Sequence, residues 1–304
     1  MGLLKAIEKA LRKAIEEYEA EGILLSGGID SGLLLCLKRD LFAVSVELEN
    51  EGREGPYLRI LEKELGVKIE VISISKKEAL EAIPLLIRIL HSFDPALPND
   101  LAVYFGLRTL KERGVSKVIT GDGGDELFGG YPFMAELENL EAYQKAIIPH
   151  LSFSSKKLGE FLGLEVFYPF LSPKVVELSF MMPRDEKIKQ INGKAFGKWI
   201  LRKILAEYLP PEFVWQNKRP LEVGSGMEIL RKEIAKTISD DEFEKKKKLY
   251  GLTFLCKEHL YFYEVYLKEI GQIPPPKAHE VACSNCGAGK PQGRKHCQVC
   301  GVIA

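Results

Sequence analysis

The chain lacks an excess of either charge and lacks any long apolar run. Lys+Arg and Asp+Glu both number 43 in its 304 residues, so no overall field points to a nucleic-acid or membrane partner. No apolar stretch approaches the roughly 18 residues that a membrane span requires, and the N-terminus opens an amphipathic helix and not a signal peptide. The sequence therefore predicts a cytoplasmic protein with no membrane contact.

Short apolar strands alternate with amphipathic helices in the first part of the chain, and this alternation is typical of a parallel sheet built from βαβ units. The predicted strands are 22–25, 42–48, 67–74 and 115–120. The later pattern is helical, with helices predicted at 135–148, 172–182, 194–208, 226–237 and 254–270. We expect an α/β fold with a parallel sheet, flanking helices and a helical C-terminal half.

A glycine-rich turn, LSGGIDS at residues 25–31, follows the first predicted strand. Two glycines let a backbone approach a phosphate group, and the next helix offers free N–H groups. Ser26 and Ser31 add hydroxyl donors. Asp30 suits an anion site only when a cation is present, so we assign it to Mg²⁺. The turn lacks the Gly-Lys-Ser/Thr ending of a Walker loop.

A second motif, GDGGDELFGGY at residues 121–131, follows the fourth predicted strand. Its carboxylates, Asp122, Asp125 and Glu126, repel one another unless cations compensate them. The carboxyl ends of parallel strands meet at one edge of a sheet, so both motifs are expected to face one pocket. Together they predict a magnesium–nucleotide site.

These two motifs in this order resemble the synthetase domain of asparagine synthetase, within the PP-loop ATP pyrophosphatase superfamily. The likeness runs from about residue 20 to 226 and includes GLEV at 163–166, PFL at 169–171, LRK at 201–203 and LPPEFVWQNK at 209–218. The resemblance implies an adenine-nucleotide α-hydrolase-like fold and an ATP-dependent ligase. Such enzymes join a substrate carboxylate to the α-phosphorus of ATP, release pyrophosphate, and let an amine displace AMP.

The resemblance also implies roles for particular residues. The pyrophosphate portion of ATP would contact Ser26, Gly27, Gly28 and Ser31, and Mg²⁺ would bind Asp30 and Asp125. The remaining nucleotide contacts would come from Leu25, Val46, Gly121 and Gly123. The expected catalytic residues are Lys218, which would stabilise developing charge, Lys157 as a second cation near phosphate, Asp122, and Glu126, which would position or deprotonate the amine.

The chain departs from the family pattern in ways that concern its substrates. Full-length family members begin with a glutaminase domain, whereas this chain reaches its glycine-rich turn within about 25 residues. We therefore expect free ammonia, a separate glutaminase subunit or another amine as nitrogen source. Phe167 and Ser172 stand where the family has arginine and aspartate, so a charge pair is absent and aspartate is doubtful as the substrate.

Four of the six cysteines, Cys283, Cys286, Cys297 and Cys300, form two CxxC pairs near the C-terminus. This spacing is typical of a structural zinc ribbon with four thiolate ligands. The predicted organisation is a PP-loop domain at 1–272, a proline-rich linker at 273–279 and a zinc ribbon at 280–304. A basic loop in the ribbon, formed by Lys290, Arg294, Lys295 and His296, suggests tRNA contact.

Three functions remain open from the sequence. The first is a ligase that adenylates a small carboxylate and forms an amide. The second is a PP-loop enzyme that modifies tRNA, which the zinc ribbon and the absent charge pair favour. The third is a non-catalytic nucleotide-binding adaptor, although the presence of Asp30, Asp125 and Lys218 speaks against it.

Overall fold

The computed structural model describes residues 2–303. Its strands are β1 Gly22–Leu24, β2 Phe42–Leu48, β3 Ile69–Ile74, β4 Lys117–Ile119, β5 Glu165–Phe167, β6 Lys189–Ile191, β7 Lys194–Phe196, β8 Glu280–Ala282 and β9 Gly289–Pro291. Its α-helices are α1 Leu3–Glu17, α2 Ile29–Leu37, α3 Gly55–Leu65, α4 Lys76–Leu90, α5 Leu97–Glu112, α6 Gly124–Phe128, α7 Leu140–Ile147, α8 Ser154–Leu162, α9 Pro173–Phe180, α10 Arg184–Lys187, α11 Trp199–Leu205, α12 Pro211–Val214, α13 Leu221–Gly224, α14 Ile229–Ala235, α15 Asp240–Tyr250 and α16 Lys257–Glu269. Short 3-10 helices occupy Pro132–Ala135, Ile148–His150 and Pro169–Leu171.

A five-stranded sheet with the order β3-β2-β1-β4-β5 organises the N-terminal half of the chain. β1 pairs in parallel with β2 and β4, and β4 pairs in parallel with β5. Because β1 is central, the turn after it and the turn after β4 leave the sheet side by side at its carboxyl edge. The expected α/β architecture with a parallel sheet and flanking helices is confirmed.

Helix burial explains how the sheet is covered. In α1 the apolar residues recur every three or four positions, so one face, including Ile7, Leu11 and Ile15, is buried. In α2 nearly every side chain from Leu33 to Leu37 is buried, as expected of a helix that is apolar all round and lies inside a core. Both helices share this core with Phe213.

Two elements differ from the sequence-based expectation. The helix predicted at 194–208 was wrong in its first part, because β6 and β7 form an antiparallel hairpin and α11 begins only at Trp199. Gly193, with a φ of 76°, closes that hairpin in a conformation open mainly to glycine. Strand β5 was missed because its three residues are too few to show an alternation.

The chain divides into two compact units. The first consists of Met1–Val46, Arg53–Ile72 and Gly106–Pro220, and the second of Glu47–Gly52, Ser73–Phe105 and Leu221–Ala304. In the second unit α16 packs on α4, and the fully buried Phe93 contacts the rings of Tyr263 and Tyr266. Within residues 2–303, none of the helices combines the length and apolar character that a bilayer crossing demands.

Candidate active site and cysteine cluster

The turn after β1 is folded by its own serines and glycines. The backbone N–H of Ser26 donates to Ser31 Oγ over 3.2 Å, and the two hydroxyl oxygens lie 3.1 Å apart. Gly27 has a φ of 65°, which a side chain rarely adopts, and α2 begins directly after Gly28. Within residues 2–303 the N-cap side of α2 has no side-chain cap, so N–H groups of its first turn are left for another acceptor, as an anion site requires.

The second motif meets this turn at Asp30. A β-carbon on Gly124 would lie 2.6 Å from the Asp30 carboxylate, and one on Gly121 would lie 3.0 Å from Asp30 Cβ and 3.1 Å from the Ser31 nitrogen. Glycines are therefore required at 121 and 124 for the two loops to approach each other. The expectation that both motifs face one site agrees with this geometry.

Lys198, which the sequence reading did not select, joins the two motifs. Its Nζ lies 2.5 Å from Asp30 Oδ2 and 2.8 Å from Asp125 Oδ1, and its side chain is only 7% exposed. Burial by itself would lower the pKa of Lys198, but the two carboxylates outweigh it and hold the pKa above its ordinary value. The ammonium is therefore charged and bridges Asp30 and Asp125.

The backbone at Lys198 is itself unusual. Its φ is 58°, in the left-handed region that non-glycine residues seldom occupy. The Lys198 N–H donates to Phe128 O over 2.9 Å, and the Lys198 oxygen accepts from Arg202 N over 2.9 Å. Strain of this kind persists where surrounding contacts impose it, and it often marks a functional position.

Lys218 contacts the second oxygen of the Asp125 carboxylate. Its Nζ donates to Asp125 Oδ2 over 2.6 Å and lies 4.7 Å from the centre of the Tyr131 ring. Burial acts to raise the pKa of Asp125, yet Lys198 and Lys218 together hold it below its ordinary value. Since the Lys218 side chain is 30% exposed, it can reach a bound molecule, whereas Lys198 is enclosed.

The carboxylate of Asp122 is held by hydroxyl groups. Thr120 Oγ1 and Ser155 Oγ each donate to Asp122 Oδ2 over 2.8 Å, and Ser155 Oγ lies 3.1 Å from the Tyr168 hydroxyl. Burial raises the pKa of Asp122, and the two hydrogen bonds only partly oppose this. Within residues 2–303 no lysine or arginine forms an ion pair with the Asp122 side chain, whereas Asp125 contacts two lysines.

Glu126 is a third buried carboxylate of the second motif. It is 8% exposed, and Tyr131 donates its hydroxyl to Glu126 Oε1 over 2.8 Å. Burial raises the pKa of Glu126, and the tyrosine hydrogen bond partly opposes this effect. A buried carboxyl group with a raised pKa is of the kind that accepts or returns a proton in catalysis.

The fit of Mg²⁺ rests on the oxygens of Asp30 and Asp125. Asp30 Oδ1 is buried and has no hydrogen-bond partner within the described residues. An unpaired buried carboxylate oxygen is costly, and a divalent cation with oxygen ligands would satisfy it. Burial raises the pKa of Asp30 in the structure, where the Lys198 ammonium is its principal cation. The donor set therefore fits Mg²⁺.

A second network braces the Gly27 turn and was also missed by the sequence reading. Gln216 Nε2 donates to Gly27 O over 3.2 Å, and Arg219 donates to Gln216 Oε1 over 3.0 Å. Arg219 also pairs with Glu54 at 3.0 Å and lies 4.2 Å from the centre of the Tyr57 ring. The only hint in the sequence is the position of Gln216 and Arg219 on either side of Lys218.

The remaining predicted residues lie as follows. Leu25 is buried, and Val46 lies buried on β2, where it limits the space above Gly106. Gly123 has a φ of 90° and is the N-cap residue directly before α6. Lys157 is exposed on α8, and Ser155 of the same helix donates to Asp122 of the second motif. The roles predicted for these residues stay predictions.

The two positions that depart from the family pattern are apolar or neutral in the structure as well. Phe167 stacks on Tyr18 with ring centres 4.7 Å apart. Ser172 precedes α9, and its buried hydroxyl has no hydrogen-bond partner within residues 2–303. Nothing at these two positions supplies the charge pair that the family pattern contains.

The four clustered cysteines converge in the second unit. Their sulfur atoms all lie within 4.8 Å of one another, with Cys283 and Cys300 sulfurs 3.8 Å apart and Cys286 and Cys297 sulfurs 3.7 Å apart. These separations are far longer than the disulfide bond length of about 2 Å. The predicted metal-binding cluster is therefore present as four free thiols that face a common centre.

Both CxxC turns have the same backbone geometry. Gly287 N donates to Cys283 O over 2.9 Å, and Gly301 N donates to Cys297 O over 2.8 Å. Each glycine directly follows the second cysteine of its pair and has a positive φ, 77° and 71° respectively. This repeated turn points backbone N–H groups around the sulfurs, as metal-binding knuckles require.

The cysteine segment packs against other parts of its own unit. Phe93 N donates to Val299 O over 2.7 Å, and His296 Nε2 lies 3.0 Å from Asp94 Oδ2. Asn285 Oδ1 also accepts from Thr253 N over 2.7 Å. These contacts hold the segment to the residues that follow α4 and precede α16.

The fold and the site define a class. It is an α/β protein with a glycine- and serine-rich turn after its first strand and a cluster of carboxylates and lysines beside that turn. The sequence profile described as Asparagine synthase matches residues 2–162 and 150–264. The chain therefore belongs to the asparagine synthase family, whose members are ATP-dependent ligases.

Two relatives and one solved structure are similar to this chain over most of its length. Asparagine synthetase B (glutamine-hydrolyzing) of Escherichia coli K12 is 25% identical over 94% of this chain and 57% of its own length. A probable asparagine synthetase (glutamine-hydrolyzing) of Schizosaccharomyces pombe is 27% identical over 88% of this chain and 55% of its own length. The chain thus spans about half the length of these relatives. The U34-tRNA thiolase NcsA from Methanococcus maripaludis, solved with its 4Fe-4S cluster, matches with 14% identity and a TM-score of 0.34 over 96% of this chain and 85% of its own.

Proposed function

We propose that the chain is an adenylating ligase that activates a small carboxylate with ATP and then forms an amide. The observation that carries the proposal is the convergence of Asp30, Asp125, Lys198 and Lys218 beside the Ser26–Ser31 turn. A simple nucleotide adaptor would not require a buried, strained lysine between two carboxylates. Family membership supports ATP as the substrate.

In the first step a carboxylate oxygen of the acceptor would attack the α-phosphorus of ATP. The bond between the α-phosphorus and its bridging oxygen would break, and pyrophosphate would leave with the electron pair. Ser26 and Ser31 hydroxyls and the first N–H groups of α2 would hold the departing oxygens. Asp30 and Asp125 would hold Mg²⁺, which neutralises phosphate charge when bound.

Lys218 would stabilise charge at the reacting phosphorus, because it is partly exposed and already lies beside Asp125. Lys198 would act differently, since its enclosed ammonium fixes the spacing of Asp30 and Asp125. In the second step an amine nitrogen would attack the acyl carbon and AMP would leave. Glu126, whose pKa burial raises, would take the proton from the amine.

The acceptor would be a small carboxylate that does not need the family's charge pair, given Phe167 and Ser172. Ammonia, ammonia from a separate glutaminase subunit, or another amine would serve as nitrogen source. Asp122, which accepts hydrogen bonds from the hydroxyls of Thr120 and Ser155, would orient the carboxylate substrate or the amine.

We also propose that the four cysteines bind one Zn²⁺ in a structural role. With a zinc–sulfur distance of about 2.3 Å, the sulfurs of a tetrahedral site lie about 3.8 Å apart. The sulfur–sulfur separations of 3.8 Å and 3.7 Å match this value. Sulfurs that each bind a different iron of a cluster lie further apart, so the geometry favours a single metal ion.

The alternative of tRNA modification through the basic loop receives less support from the geometry. Lys290 is 8% exposed and its Nζ donates to Lys295 O over 3.4 Å, while His296 contacts Asp94. These side chains therefore take part in contacts within the chain, and less of the loop's charge is available for phosphate groups.

The proposal is tested by measuring AMP and pyrophosphate release with a panel of amino acids, ammonia and bulk tRNA. We expect equal amounts of AMP and pyrophosphate with one carboxylate and an amine, and loss of both products in Asp30→Ala. Release that depends only on tRNA would favour the modifying enzyme. ATP binding without turnover with any acceptor would favour the adaptor.

A further inference from the structure

Gln144 on α7 has a completely buried side-chain amide that contacts the backbone of α6, the helix that carries Asp125 and Glu126. Its side chain is 0% exposed. Its Nε2 donates to Glu126 O over 2.6 Å and to Leu127 O over 2.9 Å. Neither carbonyl has a partner within α6, because the last carbonyls of any helix lack one.

Three of the four C-terminal carbonyls of α6 are satisfied from outside its ladder, whereas Asp125 O also accepts from the N–H of the C-cap Gly129. Asp125 O accepts from Gly130 N over 2.8 Å, and Phe128 O accepts from Lys198 N over 2.9 Å. Gln144 supplies the two donors for the carbonyls between them. A helix of five residues has little stability of its own, so these external donors determine where it lies.

Lys187 fixes the orientation of the Gln144 amide. Its Nζ donates to Gln144 Oε1 over 2.6 Å, which turns the amide NH₂ group toward the two α6 carbonyls. Lys187 is 2% exposed and makes no ion pair within residues 2–303. Burying an unpaired lysine is unfavourable, so its presence is explained by what it orients and not by its own stability.

We infer that Gln144 and Lys187 are positioning residues that hold α6 so that Asp125 and Glu126 keep their places in the active site. The inference rests on the proposed adenylating function for its kinetic consequence. Its structural consequence, a fixed α6, does not depend on turnover.

The decisive variant is the double substitution Gln144→Leu/Lys187→Met. It removes the hydrogen bond from Lys187 to Gln144 and those from Gln144 to α6, and it puts apolar side chains of similar size in their place. Gln144→Leu alone leaves Lys187 buried without its acceptor and is expected to lower the melting temperature. The double variant should melt closer to the parent protein than Gln144→Leu does, because the buried ammonium is removed, although the carbonyls of Glu126 and Leu127 lose their donor. The matched control is Gln190→Leu/Lys174→Met, which changes the same residue types at exposed positions.

In the double variant we expect kcat for pyrophosphate release to fall about 10- to 100-fold, because small misplacements of catalytic groups cost that much. The KM for ATP should change less than about threefold, since the Ser26–Ser31 turn is untouched. Amide hydrogen exchange in residues 123–130 should become faster in the double variant and stay unchanged in the control.

The inference would be overturned by a double variant that keeps the parental kcat and the parental rate of amide hydrogen exchange in residues 123–130. That result would show that the hydrogen bonds of Gln144 and Lys187 do not position α6. If the parent protein has no turnover with any acceptor, the proposed function fails. Hydrogen exchange then decides the inference by itself, with faster exchange supporting it and unchanged exchange refuting it.

Discussion

Replacing Lys198 by methionine removes the cation that bridges Asp30 and Asp125 without changing the length of the side chain much. Both side chains are non-glycine, so the strained backbone with a φ of 58° is equally unfavourable for each. The substitution therefore isolates the ammonium, which lies 2.5 Å from one carboxylate and 2.8 Å from the other.

The magnitude follows from the burial of all three groups. Their side chains are 7%, 13% and 18% exposed, so solvent does little to screen the carboxylates once the lysine is gone. Removing one partner of a buried pair costs about 3–5 kcal/mol. For a folded unit of this size that corresponds to a fall in melting temperature of about 6–20 °C.

Thermal and urea unfolding of Lys198→Met, with Lys174→Met as the exposed-lysine control, measures this cost. The control should change the free energy of unfolding by less than about 0.5 kcal/mol, because its ion pair is exposed. Adding Asp30→Asn to Lys198→Met should recover about 2 kcal/mol, since one unpaired charge is removed. A single variant as stable as the control would refute the bridging role.

Three other perturbations test separate parts of the site and fold. Cys283→Ser should lower the zinc content measured by metal analysis, whereas Cys256→Ser should not; unchanged zinc in the first variant would contradict the four-thiolate centre. Burial lowers the pKa of Lys187 from 10.5 to about 8, so the folded state binds fewer protons than the unfolded state in this interval. Stability should therefore rise with pH from about 8 to 10.5, and Lys187→Met should lose this rise; equal pH slopes in urea unfolding would be the contrary result. Tyr131→Phe removes the hydroxyl that donates to Glu126, and we expect kcat to fall by about 10-fold with a shifted pH profile of kcat. A pH profile of kcat identical to that of the parent protein would show that the Tyr131 hydroxyl does not influence the pKa of Glu126.

Local patterns predict much of this fold because they depend on near neighbours in the chain. The alternation of strands and helices up to residue 120 and the turn at Ser26–Ser31 follow from apolar periodicity and glycine placement. The spacing of the two CxxC pairs likewise predicts a metal-binding cluster without any other information. The hairpin of β6 and β7 was misread as helix because its short strands carry no clear period.

The parts that could not be predicted depend on contacts between distant residues. Lys198 is 168 positions from Asp30, and Lys187 is 43 positions from Gln144. A lysine near a helix start looks like a surface residue until tertiary packing buries it. The same holds for Arg219, whose pairing with Glu54 braces Gly27 only in the folded chain.

The central claim, activation of a carboxylate by adenylation, is tested most directly by exchange of labelled pyrophosphate into ATP. With the correct carboxylate and no amine, we predict exchange in the parent protein and in the Lys174→Met control. Asp30→Ala should abolish this exchange. Exchange that is absent with every carboxylate, or formation of ADP and phosphate in place of AMP and pyrophosphate, would contradict the account.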